Sequence, residues 1–191
     1  MNWANRLTLL RIALSFLLIG WLLLPGFLAK LAASITFGLA ALTDLWDGRL
    51  ARRRGEVTDF GILMDPIADK ILVLAAFVSF VQVGLVPAWM VVLMATREFL
   101  ITGLRLFALG RGCVLPAEAA GKHKTVSQMV AISLILIFLM VREAFKADDS
   151  ASIWLRWAEG GIWLITLLAV ILTLTSGLSF LWKHRKLIVS L

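Results

Sequence analysis

Apolar residues run through this chain in long blocks, each closed by a short stretch of polar or turn-forming residues. A membrane-crossing helix needs about 20 predominantly apolar residues, and six such blocks lie at roughly 7–29, 32–53, 61–82, 86–108, 122–142 and 154–182. The breaks between them are PGFLAK, RRRGEVTD, QVGLVP, LGRGCVLPAEAAG and REAFKADDSAS. Each contains turn residues or clustered charge that a lipid-facing helix would not keep. The last block is long enough to tilt or to begin as an interfacial segment. No internal repeat or low-complexity stretch interrupts the series. The pattern therefore predicts one all-α, polytopic membrane domain over residues 1–191, with six transmembrane helices.

Composition agrees. Of 191 residues, 61% are hydrophobic and 16% charged, which excludes an ordinary water-soluble domain. A net charge of +7 would suggest nucleic acid for a soluble protein. In a polytopic one it points to basic loops against anionic lipid, and no nucleic-acid partner is expected. Arg6 and Arg11 precede an apolar run, and LAKLAAS has the small residues of a cleavage site. The run from Ile12 to Leu31 nevertheless exceeds a signal-peptide core of about 7–15 residues, so a retained first helix is expected. The single cysteine, Cys113, cannot form an intrachain disulfide, and its surroundings give it no role.

Charge also orients the chain. With the N-terminus in the cytoplasm, the inner side receives Arg6, Arg11, the Arg52-Arg53-Arg54 run, Arg111, Lys122, Lys124, Lys183, Arg185 and Lys186. The outer side receives only Lys30, Arg142, Lys146 and Arg156. The positive-inside bias thus places both termini in the cytoplasm. Trp3, Trp21, Trp89, Trp154 and Trp182 fall near predicted helix ends, as an aromatic belt requires.

Four acids break the apolar pattern. Asp44 and Asp47 are three apart on the second predicted helix and share a face; Asp65 and Asp69 are four apart on the third and share another. Antiparallel neighbours joined by a short loop could point all four carboxylates at one another. An aspartate at the bilayer centre costs about 2.5–3.5 kcal/mol, so four cost on the order of 10–14 kcal/mol unless something positive offsets them. Arg49, Arg52, Arg53 and Arg54 sit in the loop region, partly solvated, and do not suffice. Carboxylate-only ligation suits a hard divalent ion such as Mg²⁺ or Mn²⁺, and a shared carboxylate would make a two-metal site. Gly48 follows Asp47, and Gly61 precedes Asp65 by one turn. Glycine weakens a helix but lets backbone or ligand approach closely.

The pattern Asp44-x-x-Asp47-Gly48-x-x-Ala51-Arg52, eight further residues, then Gly61-x-x-x-Asp65-x-x-x-Asp69 resembles the signature of the CDP-alcohol phosphatidyltransferases at every signature position. That resemblance implies an enzyme that exchanges CMP on a CDP-linked lipid for an alcohol with the help of two divalent ions. It also implies a six-helix fold, a site open to the cytoplasm and a homodimer. Asp44, Asp47 and Asp65 resemble the ligands of one ion, and Asp44, Asp65 and Asp69 those of the other. Asp69 resembles the base that takes the proton of the acceptor hydroxyl. Gly48, Arg52 and Thr58 resemble positions that contact the CDP moiety, with Gly61 beside them. Asn5, Thr8 and Arg11 follow helical spacing on the first helix and resemble a motif near the nucleotide.

The acceptor is read elsewhere. Arg105, Arg111, Lys122, Lys124 and Thr125 converge on the cytoplasmic face that carries the aspartates, and this cluster suits a second anionic group such as the phosphate of glycerol 3-phosphate. The segments NRLTLLRI, DPIADK, REFLITGLR and GKHKTVSQ are similar to those of the bacterial branch of the family that makes phosphatidylglycerophosphate. The resemblance then implies CDP-diacylglycerol as donor, glycerol 3-phosphate as acceptor and the bacterial inner membrane as location. A cardiolipin synthase of the same family, using phosphatidylglycerol, is the alternative. A divalent-cation channel would need polar residues across the whole bilayer, whereas here they gather in the cytoplasmic half.

Other charged residues have plainer readings. Lys122 and Lys124 could serve only as positive-inside anchors. Arg97 and Glu98, deep in the fourth helix, suit interhelical pairing as well as substrate. Lys70 points about 100° away from Asp69 and is expected to snorkel or pair locally. His123 is given no role, and His184, between Lys183 and Arg185, is expected to be solvated at the interface.

Overall fold

The computed structural model describes residues 3–54, 59–111, 119–146 and 152–190. They form six α-helices and, among the described residues, no strand: α1 (Trp3–Leu23), α2 (Phe27–Arg54), α3 (Asp59–Gln82), α4 (Ala88–Gly110), α5 (Ala119–Ala144) and α6 (Ser152–Ser190). Each predicted block has its helix, and the ends differ for local reasons. The second helix starts at Phe27 instead of 32, because the turn is completed by Gly26 alone at φ 99°, a conformation open to glycine. Gly84, at φ 77°, turns the chain between α3 and α4, and Pro87 occupies the N-cap of α4.

Two groups of helices make the body. α1 packs on α2 and α3, and α6 packs on α5 and α4. Contacts of α2 with α5, and of α3 with α4 and α5, join the groups. Among the described residues α2 and α3 touch only slightly, so α1 mediates much of their relationship.

In lipid, helices gain little by hiding apolar surface from one another, so close packing holds them. Ala33, Ala40, Ala68, Ala76 and Ala131 are fully buried, which lets backbones approach. Phe77 and Phe80 meet edge to face at 6.0 Å within the core. The outside is apolar: Phe16, Leu28, Val92, Leu164 and Leu178 are exposed. Buried hydroxyls turn inward onto their own helices, Ser15 donating to the Arg11 carbonyl at 2.8 Å and Ser79 to that of Ala75 at 2.7 Å.

Arg6–Leu23, Lys124–Ala144 and Ile153–Arg185 are each long and apolar enough to cross a membrane, and Phe27–Thr43 is an apolar stretch of α2. This is a membrane protein. At the end carrying the α1–α2 turn, the buried Lys30 donates from Nζ to the carbonyls of Leu22 at 2.6 Å and Leu24 at 2.7 Å. It thereby caps the open C-terminus of α1. Glu143 of α5 accepts from the Gly26 amide at 3.1 Å, so the same turn is pinned from a third helix. With this end fixed, the polar residues gather at the other.

Candidate active site

The polar end begins with α1. Thr8, Arg11 and Ser15 recur at helical spacing and are all buried, so this face looks into the bundle. Because α1 lies against α3, Arg11 reaches Asp69, Nη1 donating to Oδ1 at 2.5 Å. Arg11 is 1% exposed and Asp69 50%, which places the carboxylate at a boundary between protein and open space.

The other acids are placed by backbone register. Asp44 and Asp47 lie in the last turns of α2, with Gly48 and Arg52 beyond them; Asp65 precedes Asp69 by one turn of α3, and Gly61 precedes Asp65 by another. The side-chain surroundings of Asn5, Asp44, Asp47, Gly48, Arg52, Gly61, Asp65 and Lys122 lie outside the described residues, as does Thr58 altogether.

From Asp69 a cavity of about 350 Å³ extends between α3, α4 and α5. Lys70 lies beside Asp69 at its rim, while Arg97, Glu98 and Arg105 enter from α4 and Lys124, Thr125 and Gln128 from α5. Val73, Phe77, Val91, Met94 and Ile101 form its apolar wall. Among these lining groups, four cations, Lys70, Arg97, Arg105 and Lys124, face two acids, Asp69 and Glu98. A confined space with that balance suits an anion.

The cations are held differently. Glu98 accepts from the Lys124 ammonium and lies 3.4 Å from Arg97 Nη1. Arg97 turns the rest of its guanidinium to α6, where Nη2 donates to Ser176 Oγ at 2.7 Å. Arg105 rests on the ring of Phe180, 4.9 Å from its centroid. Of the residues expected to hold an acceptor phosphate, Arg105, Lys124 and Thr125 line the same cavity as Asp69. Arg111 is exposed, its guanidinium 5.0 Å from the Phe107 ring, and does not line it.

Three features escaped the sequence reading. The Arg11–Asp69 pair spans 58 positions, and no local spacing signals it. The Glu98–Lys124 pair likewise needs long side chains of α4 and α5 to meet across the cavity between them. The third is α6, to which no site role was given. Thr173, Ser176, Gly177, Phe180 and His184 recur every three or four residues in an otherwise apolar helix and are buried, a pattern that could have exposed the face. His184 is a correction. It is 6% exposed, with its ring 4.5 Å from that of Phe180 and Nδ1 3.0 Å from the Phe180 carbonyl, because the end of α6 packs against the bundle.

Comparison with known proteins gives this geometry a family. The CDP-alcohol phosphatidyltransferase model matches residues 1–175. The chain belongs to that family. The match takes in the paired aspartates of α2 and α3 and the whole of the cavity described above. Within the family, the chain is 38% identical over 195 residues to a CDP-diacylglycerol–glycerol-3-phosphate 3-phosphatidyltransferase of Bacillus subtilis, covering 96% of this chain and 95% of that protein. A protein of the same name from Salmonella choleraesuis is 36% identical over 190 residues, again covering 96% and 95%. A probable phosphatidylglycerophosphate synthase of Mycobacterium tuberculosis is 42% identical over 139 residues, 71% of this chain and 66% of that one.

Proposed function

We propose that this protein transfers the phosphatidyl group of CDP-diacylglycerol to glycerol 3-phosphate, forming phosphatidylglycerophosphate and releasing CMP. The observation that carries the reading is the cavity that joins Asp69 to Arg105, Lys124 and Thr125. An acceptor with an anionic group and a hydroxyl fits a space lined by four cations, with the Asp69 carboxylate at its edge. The names of the similar proteins from Bacillus subtilis and Salmonella choleraesuis point to the same reaction.

The signature acids offer oxygen ligands alone, a donor set suited to Mg²⁺ or Mn²⁺. Asp44, Asp47 and Asp65 would hold one ion and Asp44, Asp65 and Asp69 the other. Bound there, the ions would neutralise charge on the diphosphate of the donor. The remaining work falls to side chains. Gly48, Gly61, Arg52, Thr58, Asn5 and Thr8 are assigned to the CDP-lipid. Arg105, Lys124 and Thr125, together with Arg111 and Lys122, are assigned to the acceptor phosphate.

Asp69 takes the proton of the primary hydroxyl as its oxygen bonds to the phosphorus that carries diacylglycerol; the bond from that phosphorus to the CMP oxygen breaks, and CMP leaves. Arg11 holds the Asp69 carboxylate at the cavity edge. Six membrane-crossing helices, cytoplasmic termini, a cytoplasm-facing site in the bacterial inner membrane and a homodimer complete the proposal. The excess of lysine and arginine on one side supports the orientation.

Purified protein given CDP-diacylglycerol and radiolabelled glycerol 3-phosphate tests this directly. Label is expected in lipid, with CMP released in equal amount. Cardiolipin made from added phosphatidylglycerol, with no label taken up, would replace this reading by the cardiolipin synthase one.

A further inference from the structure

Neighbouring residues on a helix point about 100° apart, and Arg97 and Glu98 lean toward different helices. Glu98 turns to α5 and accepts from Lys124; Arg97 turns to α6 and donates to Ser176. The contact with α6 depends on a glycine. A Cβ at Gly177 would lie 2.8 Å from Arg97 Cγ, 3.0 Å from Nε and 3.4 Å from Cδ, so the stem of Arg97 runs across the bare backbone there. Among the described glycines, this is the one where an added Cβ meets anything within 4 Å. Glycine inside a helix is unfavourable relative to alanine, and here the close passage of Arg97 supplies a reason for it.

We infer that Ser176 and Gly177 are positioning residues for the acceptor site: through Arg97 and Glu98 they set where the Lys124 ammonium stands. The inference rests on the reading of the cavity as the glycerol 3-phosphate site. Arg97, Glu98 and Lys124 are each about nine-tenths buried, at 10%, 12% and 10% exposure, so a shift in one is passed to the next instead of being absorbed by water. Gln128 reinforces the seam one turn along α5, donating to Thr173 Oγ1 at 3.1 Å and fixing α6 against the same helix that carries Lys124. Ser176 and Gly177 lie just beyond the residues matched to the family, 1–175, so the role is read from this chain's own packing.

The test is steady-state kinetics on the purified full-length protein, varying each substrate in turn. Gly177→Ala is expected to raise KM for glycerol 3-phosphate about tenfold, because the added Cβ displaces the Arg97 stem and disturbs both its bond to Ser176 and the Glu98–Lys124 pair. KM for CDP-diacylglycerol should stay the same. Ser176→Ala should move KM in the same direction by less. Adding Gly177→Ala to Arg97→Ala should raise KM no further, because the glycine acts through the arginine.

An unchanged KM for glycerol 3-phosphate in Gly177→Ala overturns the inference. So does a parallel loss of affinity for both substrates together with a lower melting temperature, or a further rise in the double variant. If Gly177→Ala does not fold, Ser176→Ala, which only removes an atom, decides on the same criterion. A wild-type protein that does not use glycerol 3-phosphate removes the functional reading itself. That result is distinct from a wild type that uses it and a Gly177→Ala variant with an unaltered KM.

Discussion

Arg11 Nη1 and Asp69 Oδ1 stand 2.5 Å apart, joining a fully buried cation on α1 to a half-exposed carboxylate on α3. Apolar surroundings favour such a pair only while each charge has its partner. The pair therefore ties the position of the acid facing the cavity to the packing of the first helix.

Arg11→Ala is expected to lower turnover by roughly 10²-fold, the scale of a misplaced catalytic group. It should also lower the melting temperature in detergent. Arg11→Lys keeps the charge but not the planar fork and should fall between the two. Turnover and thermal unfolding of the same preparations check this; wild-type turnover in Arg11→Ala would remove the role given to the pair.

Asp69→Asn keeps the shape of the side chain and removes its capacity to accept a proton. Turnover should drop by about 10²–10⁴-fold while the protein stays folded. CMP release measured on material with a wild-type melting curve provides the check.

Chelation examines the donor set. EDTA should abolish CMP release reversibly, with activity restored by excess Mg²⁺ or Mn²⁺ and not by Ca²⁺, whose larger shell and looser geometry fit a compact diphosphate site poorly. Full turnover in EDTA would exclude the two-ion assignment of Asp44, Asp47, Asp65 and Asp69.

Arg105 lies over Phe180 in the cavity wall, and Lys124 is paired there with Glu98. Loss of a charge-assisted contact to phosphate costs about 1.5–3 kcal/mol, so Arg105→Ala should raise KM for glycerol 3-phosphate by roughly 10- to 150-fold. Lys124→Ala should raise it at least as much, since it also leaves the Glu98 carboxylate facing the phosphate without the Lys124 ammonium. Substrate titration of the two variants tells whether these residues meet the acceptor.

Lys30 serves the opposite end of the molecule. Lys30→Met removes its contacts with the Leu22 and Leu24 carbonyls and is expected to destabilise the protein by about 1–3 kcal/mol. KM for either substrate should stay at the wild-type value, because the residue serves the α1–α2 turn and does not line the cavity. Unfolding in detergent and kinetics together separate the effects.

Much of this protein was decided one helix at a time. A run of apolar residues long enough to span lipid must close its own backbone hydrogen bonds, so the helices and most of their limits follow from local composition. The aspartate spacings and glycines of the signature are local as well, and they carried the family. Pairing is a different matter. Arg11 with Asp69, Glu98 with Lys124 and Arg97 with Ser176 are separated by 58, 26 and 79 positions, and each exists only because particular helix faces were brought together. Charge alone left Arg97 and Glu98 open between structural and substrate roles and put His184 in solvent. Tertiary packing turned α6 inward, placing Phe180 under Arg105 and Gly177 under Arg97, because in lipid the fit of small and large side chains, more than hydrophobicity, selects which helices meet.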